Sequence, residues 1–229
     1  EFNELLESPP KLEVDKFINT NPRNISWTRA VKNSLKAGHH RVFDNGNIVN
    51  GIYRPFCKQK LYFDRYFNEC VYQQPKIYPN PDQKNITICV SGVGGNKQNT
   101  TLITDVIPDL NCLDAGTQCF PLYYYEERQK QSRGLFDEDG DSEFIRRDGV
   151  SDFILERAKA MYGKTVGKED IFYYVYGFLH SPEYRELFAN DLKKMLPRLP
   201  LVEDVRDFWK FSKAGRALAE LHLNYESVA

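Results

Sequence analysis

The stretch Ser91-Gly92-Val93-Gly94-Gly95-Asn96-Lys97 sets glycine-rich backbone beside a lysine, the ingredients of a loop that cradles phosphate. It lacks the GxxxxGK[ST] spacing and no strong helix pattern follows, which argues against an ATP-binding loop. Extended through Gln98 and Asn99, the same residues suit a hairpin tip offering amide and cationic donors to a groove, or a plain surface turn. The run Asp137, Asp139, Asp141 resembles the opening of a calcium loop. However, Gly140 falls at the fourth place rather than the sixth, and Asp148 stands where a glutamate normally closes such a loop, so a solvated loop is the better reading. No GxSxG, Ser-His-Asp or Cys-His signature is recognisable. Of the four histidines, His39 and His40 lie in a cationic stretch, while His180 and His222 lie in helical sequence, where a structural role is expected. The five cysteines, Cys57, Cys70, Cys89, Cys112 and Cys119, form no CxxC pair and read as small buried hydrophobes in a reducing compartment. The sequence therefore names no catalytic residue and no metal ligand.

Charge is more informative. The formal net charge of −1 conceals a segregation: residues 23–76 carry 10 Lys+Arg against 3 Asp+Glu, whereas residues 1–22 carry 2 against 5 and residues 123–148 carry 5 against 8. One basic stretch in an otherwise neutral or acidic chain is the footprint of a surface for phosphate backbone or another polyanion. The competing reading is a solvated helix face neutralised by acidic loops packed nearby.

The elements that must carry these residues follow from periodicity and caps. Residues 1–25 read as a connector. A basic helix over Trp27 to Ala37, capped by Ser26 and ended by Gly38, presents Arg29, Lys32 and Lys36. Two β segments, Ile48 to Phe56 and Lys60 to Phe67, interleave Arg54, Lys58, Lys60 and Arg65 with aromatic residues, most of them expected in the core. Further strands are expected over Thr87 to Val93, Leu102 to Ile107 and Gln118 to Tyr125, and Glu126 to Asp148 reads as an acidic loop. Helices follow over Val150 to Tyr162, Lys168 to Leu179, Pro182 to Leu196 and Val202 to Leu221, the last with a break near Gly215.

The fold class expected is α+β, a strand-rich basic half forming a sheet that faces phosphate backbone or another polyanion, and then a helical lobe. Its divisions are a connector at 1–25, a recognition part at 26–125, an acidic loop at 126–148 and a helical part at 149–229. At 229 residues, 41% of them apolar, the chain has material for a real core. No apolar run approaches the roughly 18 residues needed to span a bilayer. No membrane partner, no secretion and a cytoplasmic location are expected, and the start at Glu1 suggests a piece of something longer.

Several unusual strings then stand in one order. They are Ser26-Trp27-Thr28-Arg29, Tyr53-Arg54-Pro55-Phe56, Leu61-Tyr62-Phe63-Asp64, Val90-Ser91-Gly92-Val93-Gly94, Ile103-Thr104-Asp105 and Gln118-Cys119-Phe120-Pro121-Leu122-Tyr123. Asp170-Ile171-Phe172-Tyr173-Tyr174-Val175-Tyr176-Gly177 and His180-Ser181-Pro182-Glu183-Tyr184 complete the set. Together they resemble the C-terminal specificity region of type ISP restriction-modification enzymes, over about residues 26–226. In that family one polypeptide carries a nuclease, an ATP-driven DNA translocase, an adenine-N6 methyltransferase and a target recognition domain. The resemblance implies that this chain is the last of these, a non-catalytic reader of double-stranded DNA. It also implies that the methyltransferase and translocase are partners on the same polypeptide, and that ATP, magnesium and S-adenosylmethionine act there and not here.

On this reading Arg29, Lys32, Lys36, Arg41, Lys58, Lys60 and Arg65 serve mainly phosphate. Asn96, Lys97 and Gln98, with His39 and His40, are candidates for base or groove contacts. The alternative is a protein-docking module of a methyltransferase and helicase assembly. A self-sufficient hydrolase is the weakest reading.

Overall fold

The computed structural model describes residues 3–7, 13–16, 18–21, 23, 26–95, 98–128 and 143–227. The chain divides into two compact units, one of residues 1–50 and 60–73, the other of residues 51–59 and 74–229. Strands dominate the first half and helices the second, in agreement with the α+β class. The strands form three small sheets.

The smaller unit opens with α1 (Glu4–Glu7) and a 3-10 turn, Val14–Lys16, that buries Val14. Helix α2 (Arg29–Lys36) begins two residues later than the sequence suggested. Thr28, not Ser26, is extended at the cap position and accepts from the Val31 amide at 3.3 Å, because only it stands three residues before that orphan donor. Val31 and Leu35, one turn apart, are the buried face. Gly38, with φ 74°, supplies the left-handed residue just beyond the helix end.

A hairpin follows, β1 (Ile48–Arg54) and β2 (Cys57–Tyr62), and the division between the units runs through both strands. Strand β2 stops short of the expected Phe67. Asp64 folds the chain into a turn there, its Oδ1 accepting from the Tyr66 and Phe67 amides at 2.7 and 3.2 Å.

The larger unit adds α3 (Gln74–Ile77), β3 (Thr87–Val90), β4 (Thr101–Thr104), β5 (Ile107–Pro108), β6 (Gln118–Pro121), β7 (Tyr123–Glu127) and β8 (Phe144–Asp148). Strand β3 lies between β4 and β6, antiparallel to both, while β5 pairs parallel with β1 through Gly51↔Ile107 and Ile52↔Pro108. The strand expected over Leu102 to Ile107 is broken in two, because Thr104 Oγ1 accepts from the Val106 amide at 3.2 Å and turns the chain. Strand β8 lies within the stretch expected to be an acidic loop and pairs with β7; Asp137, Asp139 and Asp141 fall outside the described residues. All four residues of β3 are buried, and their period of two splits them between two clusters. Ile88 and Val90 pack with Phe172, Tyr176 and Ala219, whereas Cys89 packs with Ile52, Leu102 and Cys112.

The helical layer is α4 (Asp152–Tyr162), α5 (Lys168–Leu179), α6 (Pro182–Leu187) and α7 (Val205–Leu223). Caps at Ser151, Gly167, Ser181 and Asp204 start them. Helix α6 ends nine residues before Leu196, and Asp191 and Lys194 continue as turns. Helix α7 has no break at Gly215. A Cβ there would lie 2.0 Å from the Tyr173 carbonyl oxygen, and one at Gly177 would lie 2.3 Å from that of Phe211, so both glycines exist to let α5 and α7 touch backbone to backbone. Beside this crossing Phe208 stacks on Tyr162 and Tyr174 at 4.2 and 5.0 Å between ring centroids. The hydroxyls of Tyr162, Tyr174 and Tyr184 donate to the carbonyls of Val202, Pro200 and Arg198, pinning the segment that leads into α7.

The cysteines divide. Cys89 and Cys112 are buried as expected, but Cys57 and Cys70 are exposed because the hairpin and the 64–70 turn hold them at the surface. Cys89 and Cys119 face each other across β3 and β6; the hydrogen bond between the thiols and burial push Cys89 up, which makes it unreactive.

Candidate nucleic-acid interface

In the smaller unit α2 and the segments around it carry most of the expected phosphate contacts, and ion pairing separates them into two sets. Lys32 is engaged: its Nζ lies 2.6 Å from Asp15 Oδ1. That hydrogen bond and the lysine charge hold the Asp15 carboxyl below the usual carboxylate range. Arg29 reaches Glu69 at 3.7 Å, a long and exposed pair. To this extent acidic sequence does neutralise the basic helix.

Lys36 and Arg65 form the other set, and His39 and His40, the candidates for base or groove contacts, follow Lys36 closely in sequence. All four are exposed and have no carboxylate partner among the described residues. The two carboxylates nearest in sequence accept from local backbone amides, Asp44 from Gly46 at 2.8 Å and Asp64 from Tyr66 and Phe67 at 2.7 and 3.2 Å. Lys60 donates to Asn50 Oδ1 at 2.8 Å and keeps its charge unpaired among the described residues. Arg41 is held firmly. Its guanidinium lies 3.6 Å from the Tyr66 ring centroid and donates to Ser34 Oγ at 2.6 Å. Its backbone is clamped by Asn3, which accepts from its N–H at 2.9 Å and donates to its carbonyl at 2.6 Å. Arg41 thus presents a fixed rather than a searching cation. Next to it are Val42 and Phe43, 88% and 65% exposed, which the sequence reading passed over. The available signal was an apolar pair between the helix-ending Gly38 and the Asp44-Asn45-Gly46 turn.

In the larger unit Lys58 is committed to its own fold. Its Nζ sits 3.2 Å from Asp105 Oδ1 and 3.3 Å from the Leu223 carbonyl, and its amide donates to the Tyr225 hydroxyl at 3.1 Å. In the glycine loop Gln98 is exposed, while Asn96 and Lys97 lie outside the described residues. Two of the loop's described amides are already used within the fold, those of Gly92 and Gly94 donating to the carbonyls of Asp114 and Lys193 at 3.0 and 3.2 Å. Gly92 is required by packing, since a Cβ would meet the Ala115 carbonyl oxygen at 1.8 Å. The described residues contain no group of three or more His, Cys, Asp or Glu that could hold a metal ion.

His180 and His222 sit in the larger unit's interior. The Tyr176 hydroxyl and His222 Nδ1 are 2.5 Å apart, and burial lowers His222. His180 is pushed down to about 4 by burial, with His222 and Arg185 contributing, and its Nε2 is buried without a partner. Both are neutral near pH 7 and offer no charge to a polyanion.

The Type ISP C-terminal specificity domain family matches residues 3–229. No match was found among curated proteins. Among solved structures, a DrdV–DNA complex determined by cryo-electron microscopy is similar at TM-score 0.82 and 31% identity, covering 100% of this chain and 20% of that one. The ATP-dependent Type ISP restriction-modification enzyme LlaBIII bound to DNA matches at 0.79 and 31%, over 100% and 14%. A nuclease-deletion mutant of the Type ISP enzyme LlaGI with a DNA substrate mimic matches at 0.76 and 32%, over 100% and 19%. The fold and the comparisons define a recognition domain of the restriction-modification class. More particularly, the chain belongs to the Type ISP C-terminal specificity domain family. It spans a fifth or less of the solved chains it matches. Among the described residues, no helix is long and apolar enough to cross a membrane.

Proposed function

We propose that this chain reads double-stranded DNA for a longer restriction-modification polypeptide. It would position a short target sequence for adenine-N6 methylation, or for ATP-driven translocation and cleavage, by domains elsewhere on that polypeptide. The observation that carries the reading is the basic stretch over residues 23–76, 10 Lys+Arg against 3 Asp+Glu, in which Lys36 and Arg65 are exposed and without carboxylate partners among the described residues. The chain belongs to a family whose solved relatives include DNA complexes. The unpaired cations Lys36 and Arg65 would gain affinity by releasing counterions from the phosphate backbone, and they would fix register without reading sequence. His39 and His40 in the smaller unit and, separately, Gln98 in the larger are the exposed candidates for base or groove contacts. The chain itself performs no catalysis in this account. ATP, magnesium and S-adenosylmethionine would act on the methyltransferase and translocase parts, its partners on the same polypeptide.

Selection from a pool of random-sequence duplexes at low and moderate salt, followed by sequencing of the retained fraction, tests this reading. One short motif enriched at both salts is the expected outcome. Absence of any duplex binding at low salt would overturn it.

A further inference from the structure

Val42 and Phe43 are consecutive, large, apolar and exposed, and Val42, 88% exposed, has the highest value among the large hydrophobic residues described. Isolated surface hydrophobes need no explanation, but a pair fixed in place at a tip does. The segment is held on both sides. Arg41 is clamped through its backbone by Asn3 and through its guanidinium by Tyr66 and Ser34. On the other side the Asp44 amide donates to the Tyr62 hydroxyl at 3.2 Å, and the Asp44 carboxylate caps the Gly46 amide. The Phe43 ring is stacked on Tyr62 at 5.2 Å with 15° between the planes, and Tyr62 is itself braced edge-on by Phe67 at 5.8 Å. Phe43 is thus presented as a rigid flat face, with little conformational entropy left to lose on binding.

The charges near this pair in sequence select its partner. The cations Lys36 and Arg65 have no carboxylate partner among the described residues, Arg41 adds a fixed guanidinium next to Val42, and the neighbouring Asp44 carboxylate is taken up by the Gly46 amide. An apolar protein surface closing over the pair would strip water from those cations and return nothing to them. A duplex offers the complement, apolar base faces bordered by phosphates.

We propose that Val42 and Phe43 form an apolar wedge that enters a base step of the bound duplex, with the neighbouring cations on the flanking phosphates. Wedges of this type partially unstack a step and kink the helix, which makes the energy of binding depend on how easily that step deforms. The tip would thereby favour flexible pyrimidine–purine steps without hydrogen-bonding to any base. This inference rests on the DNA-reading role proposed above.

The test uses the tightest-bound duplex of a random pool, with 2-aminopurine replacing each adenine in turn, and reads fluorescence as the 229-residue chain is added. A rise at one step is expected. It should be lost with Phe43→Ala, reduced with Val42→Ser and kept with Phe43→Leu, with affinity falling about tenfold for the alanine variant and no change in salt dependence. Both residues are exposed, so an unchanged melting temperature will show that the variants remain folded. Salt-dependent binding with no fluorescence rise, or with Phe43→Ala indistinguishable from the parent, overturns the wedge and leaves DNA reading standing. No duplex binding by the parent at low salt removes both.

Discussion

Both units pair some of their basic side chains and leave others without a carboxylate partner among the described residues; what differs is the balance of charge along the sequence, 10 Lys+Arg against 3 Asp+Glu over residues 23–76 and 12 against 12 over residues 149–229. In the larger unit Lys168 sits 2.7 and 2.6 Å from Asp148 and Asp152, Arg54 sits 3.1 Å from Asp109, and Lys58 joins Asp105 to the end of α7. Its aromatic residues stack inward around Phe208 and Tyr176. In the smaller unit Lys32 and Arg29 find carboxylates, but Lys36, His39, His40 and Arg65 do not among the described residues, and an apolar pair stands exposed beside them. A count of charge along the chain therefore overstates the interface. Unpaired cations occur in both units, so it is their concentration in a stretch poor in carboxylates, residues 23–76, that marks the candidate interface.

Substitutions can break or sharpen this contrast. The largest effect is expected from Phe208→Ala, which removes a fully buried ring between Tyr162 and Tyr174 and should cost about 3–5 kcal/mol in denaturant unfolding of the larger unit. Gly215→Ala drives a methyl group into the Tyr173 carbonyl where neither backbone can yield cheaply, and about 1–3 kcal/mol or more should be lost.

His180 gives a pH signature. Its folded value of about 4 lies below the ordinary value of about 6.5, so the unfolded chain binds the extra proton between the two. The stability it contributes is therefore present above pH of about 6.5 and lost as pH falls toward about 4. His180→Phe should flatten that part of the stability profile. Lys58→Ala should cost about 1 kcal/mol of stability and leave the salt dependence of duplex binding unchanged, because its charge is already used within the fold. A reduced salt slope in that variant would erase the distinction between paired and unpaired cations.

Local grammar made much of this legible. The helix Lys168–Leu179 was readable to its last residue, since Gly167 and Asp170 start it and Ser181-Pro182 opens the next. The order of strands before helices was equally plain. Features set by distant residues were not. Gly215 looks like a break until α5 is seen lying against it, and the hydroxyl that caps α2 belongs to Thr28 rather than its better-placed neighbour in composition, Ser26. The state of each cation depends on partners far along the chain, Asp15 for Lys32 and Asp105 for Lys58, and no periodicity encodes such pairings. For the same reason the sequence named the basic stretch but not the tip at Val42 and Phe43, whose exposure depends on the grip of Asn3, Tyr62 and Tyr66 on its flanks.

The most direct test of the central claim is the salt dependence of duplex binding by the parent chain and by Lys36→Ala and Arg65→Ala. The account predicts a straight fall of log affinity with log salt, its slope reduced by about one in each variant and by about two in the double variant. Slopes that do not respond to either substitution, or an absence of duplex binding at low salt, would contradict it.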